Sequence, residues 1–135
     1  GRALDVGCGT GVLSIAALKC GAEWVDAIDI DIWSTESARE AAELNGISDK
    51  MEIILGTVEK IEGRTYDLIM ANINRNIILE DIARYEAALN DGGTLLLSGF
   101  LEGDVEDILA ATNALNLKLV TKLQEEEWVA LKLTK

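Results

Sequence analysis

An apolar run that ends in an acid and then meets three glycines at alternate positions constrains this chain more than any other stretch. Residues 2–11 read Arg2-Ala3-Leu4-Asp5-Val6-Gly7-Cys8-Gly9-Thr10-Gly11, and a helical segment, Val12 to Lys19, follows at once. The pattern predicts a strand, a tight turn and a helix whose first turn abuts the turn. Glycine reaches positive φ and lets a ligand approach the backbone closely. The first N–H groups of the helix have no partner within it, which favours acceptor or anionic groups there. The turn therefore reads as a binding element. Spacing excludes a Walker-type phosphate loop and departs from the dinucleotide one. No Gly-Lys-Ser/Thr follows, and Val12 stands where a dinucleotide fingerprint needs its third glycine.

Trp24 to Asp29 reads as the next strand and ends in a carboxylate twenty-two residues after Gly7. In a βαβ unit this places Asp29 beside the glycine turn, where a ribose diol would lie if a nucleoside crossed it. A carboxylate accepting from two adjacent hydroxyls makes a charge-assisted contact. Helix capping is the plainer role for an acid here, and Asp31 suits it better.

These motifs resemble the class I S-adenosylmethionine-dependent methyltransferases. Leu4-Asp5-Val6-Gly7-Cys8-Gly9-Thr10-Gly11 and Ile28-Asp29-Ile30-Asp31 carry the superfamily likeness. Residues 36–46, Ala71-Asn72-Ile73, Leu97-Ser98-Gly99 and Glu127-Trp128-Val129-Ala130-Leu131 extend it to one branch. That branch is the methyltransferases acting on ribosomal protein eleven of the large subunit. The resemblance implies that Asp5, Gly7, Gly9 and Gly11 cradle the methionine part of S-adenosylmethionine, Asp29 the ribose and Ile30 a face of the adenine. The family often carries an acid for the adenine amine in the loop after the third strand; here Thr57 stands at that position. Glu59 is an alternative, though a solvated loop charge is its plainer reading. The resemblance also implies lysine side chains or a terminal amine of the ribosomal protein as acceptor, and a separate amino-terminal substrate-recognition domain. Residues 1–135 would then be the cofactor-binding catalytic domain.

A second candidate site lies at the end of the fourth expected strand, Tyr66 to Ala71, which runs into Asn72-Ile73-Asn74-Arg75-Asn76. Open α/β sheets put ligands at the carboxyl ends of their strands. Methyl transfer is a displacement at a sulfonium methyl, and holding the nucleophile in line supplies much of its acceleration. The amide oxygen of Asn72 can accept hydrogens from an amine and aim its lone pair. Asn72 is thus the expected catalytic residue and a cofactor neighbour. Asn74 and Asn76 suit the capping of the following helix.

The remaining sequence is read as a helix over 34–44 with Ala38, Ala41 and Leu44 inward, a strand over Met51 to Leu55 and a helix over 77–89. A turn at Asp91-Gly92-Gly93, a strand over 94–98 and a helix over 104–115 come next. Two final strands, 118–123 and 128–133, close as a hairpin. The expected fold is α/β: a Rossmann-like, seven-stranded, mostly parallel sheet with helices on both faces and a C-terminal antiparallel hairpin. That hairpin is foreign to nicotinamide dehydrogenases. Phe100 is expected either to wall a substrate channel or to fill the core.

Composition narrows the chemistry. The chain has no histidine, so no Ser-His-Asp or Cys-His machinery and no histidine base can exist. Cys8 and Cys20 are too few for a zinc site and are expected as free thiols in a reducing cytoplasm; no metal is expected. With 135 residues and 49% hydrophobic content, one domain with a sizeable core is expected. The net charge of −12 repels nucleic acid and suits a basic protein, simple solubility being the plainer account. No apolar run reaches membrane-spanning length. Rival readings are a methyltransferase with a small-molecule acceptor, a non-catalytic nucleoside-binding module and a nicotinamide oxidoreductase.

Overall fold

The computed structural model describes residues 1–135. In chain order it comprises β1 (Arg2–Val6), α1 (Val12–Lys19), β2 (Trp24–Asp29), α2 (Ile32–Leu44), β3 (Met51–Leu55), β4 (Tyr66–Asn72), α3 (Arg75–Ala88), β5 (Leu89–Leu101), α4 (Val105–Ala114), β6 (Lys118–Glu125) and β7 (Trp128–Thr134). The strands form one seven-stranded sheet in the order β3-β2-β1-β4-β5-β7-β6. Only β7 runs against its neighbours: it lies between β5 and β6 and is antiparallel to both. The expected architecture, including its single reversed strand and terminal hairpin, is present.

The central strands are apolar on both faces because both faces are covered. Leu4, Val6, Ile28, Ile69 and Ala71 join Ile78, Ile82, Tyr85 and Ile108 of α3 and α4 in a core cluster of 22 buried residues. Ala3, Val25, Ala27 and Met70 point the other way and meet Ala38 and Ala42 of α2 in a cluster of 8. Small side chains dominate the second face, so α2 lies close to the sheet. Phe100 belongs to the larger cluster and is buried, which settles it as a core aromatic.

Several local expectations need correction. Helix α2 begins at Ile32, because the Asp31 side chain accepts from Trp33 N at 3.0 Å and starts the helix two residues early. Its inward stripe is Thr35, Ala38 and Ala42; Ala41 is only half-buried, and Leu44 is 88% exposed. Helix α1 has apolar residues on most faces and packs on the sheet through Ala17 and Leu18; Ser14 is its one fully buried residue, and Val12 and Leu13 are exposed. Helix α3 starts at Arg75, since the Asn74 side chain accepts from Ile77 N at 3.1 Å; Asn76 lies inside the helix and caps nothing. The expected turn at Asp91-Gly92-Gly93 does not separate helix from strand: β5 runs through it from Leu89, with a register shift against β4. Leu89 pairs with Tyr66 and Thr94 with Leu68, while Gly92 and Gly93 exchange hydrogen bonds with Lys135.

In β2 the carboxylate of Asp26 is fully buried. Asp26 accepts from Trp24 Nε1 at 2.8 Å, from the Tyr66 hydroxyl, and from Arg64 Nη1 at 3.1 Å; Arg64 also reaches Glu52 at 2.9 Å. Burial and the bond to Asp26 hold the Tyr66 phenol above its ordinary ionisation range. These donors offset the desolvation of the carboxylate, and removing the acceptor strands them. Asp26→Ala is expected to lower unfolding free energy by about 3 kcal/mol in urea titrations. Glu52→Ala, which removes a half-exposed partner of the same arginine, should cost less than about 1 kcal/mol.

Candidate functional site

Strand order reverses beside β1, which pairs with β2 on one side and β4 on the other. Ligands of open α/β sheets lie in the crevice outside the carboxyl ends of the strands at such a switch point. The glycine turn follows β1 at this place. Gly7 N and Cys8 N both donate to Ile28 O, at 2.8 and 3.0 Å, which ties the turn to β2. Gly7, Gly9 and Gly11 all adopt left-handed φ, at 71°, 54° and 84°. A Cβ on Gly7 would stand 2.9 Å from Ile73 Cγ2 and 3.3 Å from Asn72 O. The bare backbone there admits the loop beyond β4. A Cβ on Gly11 would stand 3.3 Å from that of Ala38, so the third glycine serves the close approach of α2.

The carboxylate of Asp29 is held by the backbone. Oδ2 accepts from Gly9 N at 3.0 Å and Oδ1 from Asp31 N at 2.9 Å. Each oxygen keeps a further lone pair, and the group is only half-buried, so it can still accept from a ligand. Asp31 spends its own carboxylate on Trp33 N and the Ser34 hydroxyl, as expected of a cap.

A cleft of about 450 Å³ opens here, a size proper to small-molecule sites. Of the sequence candidates, Gly7, Asp29, Ile30, Thr57 and Asn72 line it. Ile30 is 73% exposed and offers its side chain as an apolar wall. Thr57 is exposed and uses no side-chain hydrogen bond at the short 3-10 turn that follows it. Asp5, Gly9 and Gly11 do not line the cleft. Gly9 reaches it through its N–H on Asp29, and Gly11 is buried against α2.

Asp5 is fully buried under α1, where Oδ2 accepts from the Ser14 hydroxyl at 2.7 Å and Oδ1 has no partner. Burial raises its pKa from 3.8 to about 6, against the lowering effect of Ser14; the Asp29 charge adds to the rise. Burial, with Asp5 and Asp29 adding, pushes the Cys8 thiol up to about 12, so it is no nucleophile at neutral pH. Cys8 and Cys20 are both free thiols.

Sequence reading missed the wall supplied by α3. Glu80, Asp81 and Arg84 line the cleft, and Arg84 pairs with Glu59 at 3.5 Å and Asp81 at 3.7 Å. Glu59 remains a solvated charge, 69% exposed, and also lines the cleft, where Arg84 reaches it. Burial, then Glu80, raises the pKa of Asp81. The charges at 80, 81 and 84 lie one turn apart on a helix, the only trace of this wall in the sequence.

Solved structures with this arrangement define the class. A Methanocaldococcus jannaschii tRNA methyltransferase superposes with a TM-score of 0.84 at 19% identity, covering 98% of this chain and 42% of that one, so the chain has a methyltransferase fold. A ribosomal protein L11 methylase from Lactobacillus delbrueckii subsp. bulgaricus superposes with a TM-score of 0.93 at 32% identity, covering 99% of this chain and 69% of that one. The chain belongs to the family described as ribosomal protein L11 methyltransferase (PrmA), which it matches over residues 1–135. The ribosomal protein L11 methyltransferase of Porphyromonas gingivalis is 44% identical over 134 residues, 98% of this chain and 46% of its own length. That of Bacteroides fragilis is 38% identical over 130 residues, 96% of this chain and again 46% of its own length. The chain thus spans about half the length of the curated relatives it matches. No helix is long and apolar enough to cross a membrane.

The buried acid gives a pH test. Asp5 has a native pKa above its unfolded value, so the native state favours its protonated form. That contribution is fully present below pH 3.8 and is lost as pH rises through about 6. Asp5→Asn keeps a neutral acceptor for Ser14. Its unfolding free energy should match the parent near pH 3.5 and exceed it by up to about 3 kcal/mol at pH 7.5, measured by paired denaturant titrations.

Proposed function

We propose that residues 1–135 form the S-adenosylmethionine-binding catalytic domain of a protein N-methyltransferase that acts on amines of a large-subunit ribosomal protein. One observation carries this reading: the Asp29 carboxylate, fixed by Gly9 N and Asp31 N, stands at the rim of a cleft that runs to Asn72. A fixed anion beside a glycine turn fits the 2′ and 3′ hydroxyls of a nucleoside. The apolar side chains of Ile28, Ile30 and Val58 fit the faces of a purine, and Thr57 lies within the same cleft. The turn of Gly7, Gly9 and Gly11 would take the methionine part through its backbone. Asp5 fits best as a support for that turn through Ser14, since its buried carboxylate does not reach the cleft wall.

When bound, the cofactor supplies an electrophilic methyl on a positively charged sulfur. The chain's own residues then have a positioning task. The amide oxygen of Asn72, at the carboxyl end of β4, accepts hydrogens from an incoming amine and turns its lone pair toward the cleft. Solvent takes the proton, since the chain has no histidine and the Cys8 thiol stays protonated at neutral pH. Glu59, Glu80 and Asp81 make the cleft acidic against the single cation Arg84, which suits a cationic ligand. The net charge of −12 likewise favours a basic protein partner over nucleic acid. The family name supports a ribosomal protein as that partner, and a reducing cytoplasm follows for both. The additional length of the relatives is the proposed source of substrate grip. Binding energy made there is spent on orientation at the reacting atoms, so this domain by itself should bind cofactor yet turn substrate over slowly.

Calorimetric titration with S-adenosylmethionine should give one saturable site in the parent and at least tenfold weaker binding in Asp29→Ala. Equal affinity in the two proteins, or no binding by the parent, rejects the reading. Mass spectrometry of ribosomal protein L11 incubated with the whole enzyme and cofactor should then show 14 Da increments (about one methyl each) on amines. Cofactor binding without increments leaves a binding module as the correct description.

A further inference from the structure

Asn72 takes part in none of the side-chain hydrogen bonds around it. Those bonds run from Ile77 N to Asn74, and from Arg75 to Asn76 and Asp107. Its side chain is exposed, so hydrogen bonding does not fix the amide. What surrounds it is backbone. The last pair of the β4–β5 ladder is Asn72 with Ser98, and Ile73 N donates to Ser98 O at 3.0 Å. The next residue of β5 is Gly99, which has φ 92° and is skipped by β7: Ser98 faces Ala130 and Phe100 faces Val129. Gly99 is therefore the extra residue of a bulge, a device that re-aims a strand beside a site.

The bulge presses Gly99 onto the β4 loop. A Cβ built there would stand 2.7 Å from Asn72 Oδ1 and 3.0 Å from both N and O of Ile73. On the opposite side, the missing Cβ of Gly7 leaves room for Asn72 O and Ile73. The Asn72–Ile73 segment is thus held between two side-chain-free positions, one on the cofactor turn and one on β5.

Building on the methyltransferase reading above, we propose that Gly99 is a positioning residue for Asn72: its bare Cα forms the wall that sets the direction of the Asn72 amide. Any side chain at 99 displaces that amide first, because Oδ1 is the free end of a two-torsion side chain while Ile73 N is tied to Ser98 O.

Four variants of this chain test it: Gly99→Ala, Asn72→Ala, the double variant, and Gly92→Ala. Gly92 has φ 81° and nothing within 4 Å of its Cβ position, so it reports the cost of left-handed φ without a collision. Gly99→Ala should move the Asn72 side-chain amide signals in nitrogen-15 spectra and weaken S-adenosylmethionine binding about fivefold or more, a loss of about 1 kcal/mol. Added to Asn72→Ala, it should change affinity less than about twofold, because the group it displaces is gone. Gly92→Ala should lose stability but not affinity. Unmoved amide signals, or an equal loss of affinity in both backgrounds, overturns the proposal. If the parent fails to bind cofactor, the functional reading falls while the amide signals still decide the positioning claim. If Gly99→Ala does not fold, relaxation of the parent's Asn72 side-chain amide decides: a rigid amide supports the wall, and a freely rotating one refutes it.

Discussion

The site depends on one carboxylate that the backbone holds in place. Asp29 ends β2, and its two oxygens accept from Gly9 N across the crevice and from Asp31 N in its own chain direction. The first bond fixes the glycine turn against β2, together with the two N–H groups donated to Ile28 O. The second orients the start of α2, whose cap is Asp31. A single acid therefore sets the relative position of a strand, a turn and a helix, and it retains lone pairs facing the cleft. Backbone donors carry no side-chain rotamer entropy, so holding them costs less than ordering a long polar side chain.

The reaction proposed for this domain asks for alignment more than for proton chemistry, and the residues agree. The buried thiol beside the turn is held protonated, the buried acid under α1 is shared with a serine, and no imidazole exists. What remains near the reacting end is backbone and an amide. Solved structures of this fold are named as a tRNA methyltransferase and as a ribosomal protein L11 methylase, so the fold by itself does not choose the acceptor.

Strand pattern and turn chemistry make most of the architecture legible in the sequence. Strands β2 and β3 have legible bounds because their apolar runs end at an acid or before a glycine, and alternation marks the terminal hairpin. Helix α1 is apolar on most faces, yet only part of it is covered: Ala17 and Leu18 pack on the sheet and Ser14 is buried to reach Asp5, while Val12 and Leu13 stay exposed. Local periodicity cannot say which neighbours a helix will meet. Likewise α2 put Ala42 inward and Leu44 outward, a choice made by the small-residue packing of its sheet face. At the cleft, Asp29, Gly7 and Asn72 are legible because each ends or directly follows a strand. The wall from α3 is not, because Glu80, Asp81 and Arg84 look like any solvated helix face until Glu59 is brought across to Arg84. The distinction between Gly7 and Gly11 also needed coordinates: one admits the β4 loop, the other a helix.

The charged knot at Asp26 lies three residues before Asp29 on the same strand, about 10 Å along it, and its partners Arg64 and Tyr66 enter from the start of β4. Anchorage and recognition thus occupy opposite ends of one sheet. Exchange of residues along the carboxyl rim leaves the buried ion network untouched, so a lineage could drift toward new acceptors there while keeping its melting point. The same division makes the rim the natural place to graft altered selectivity, with Asp26 left alone as ballast.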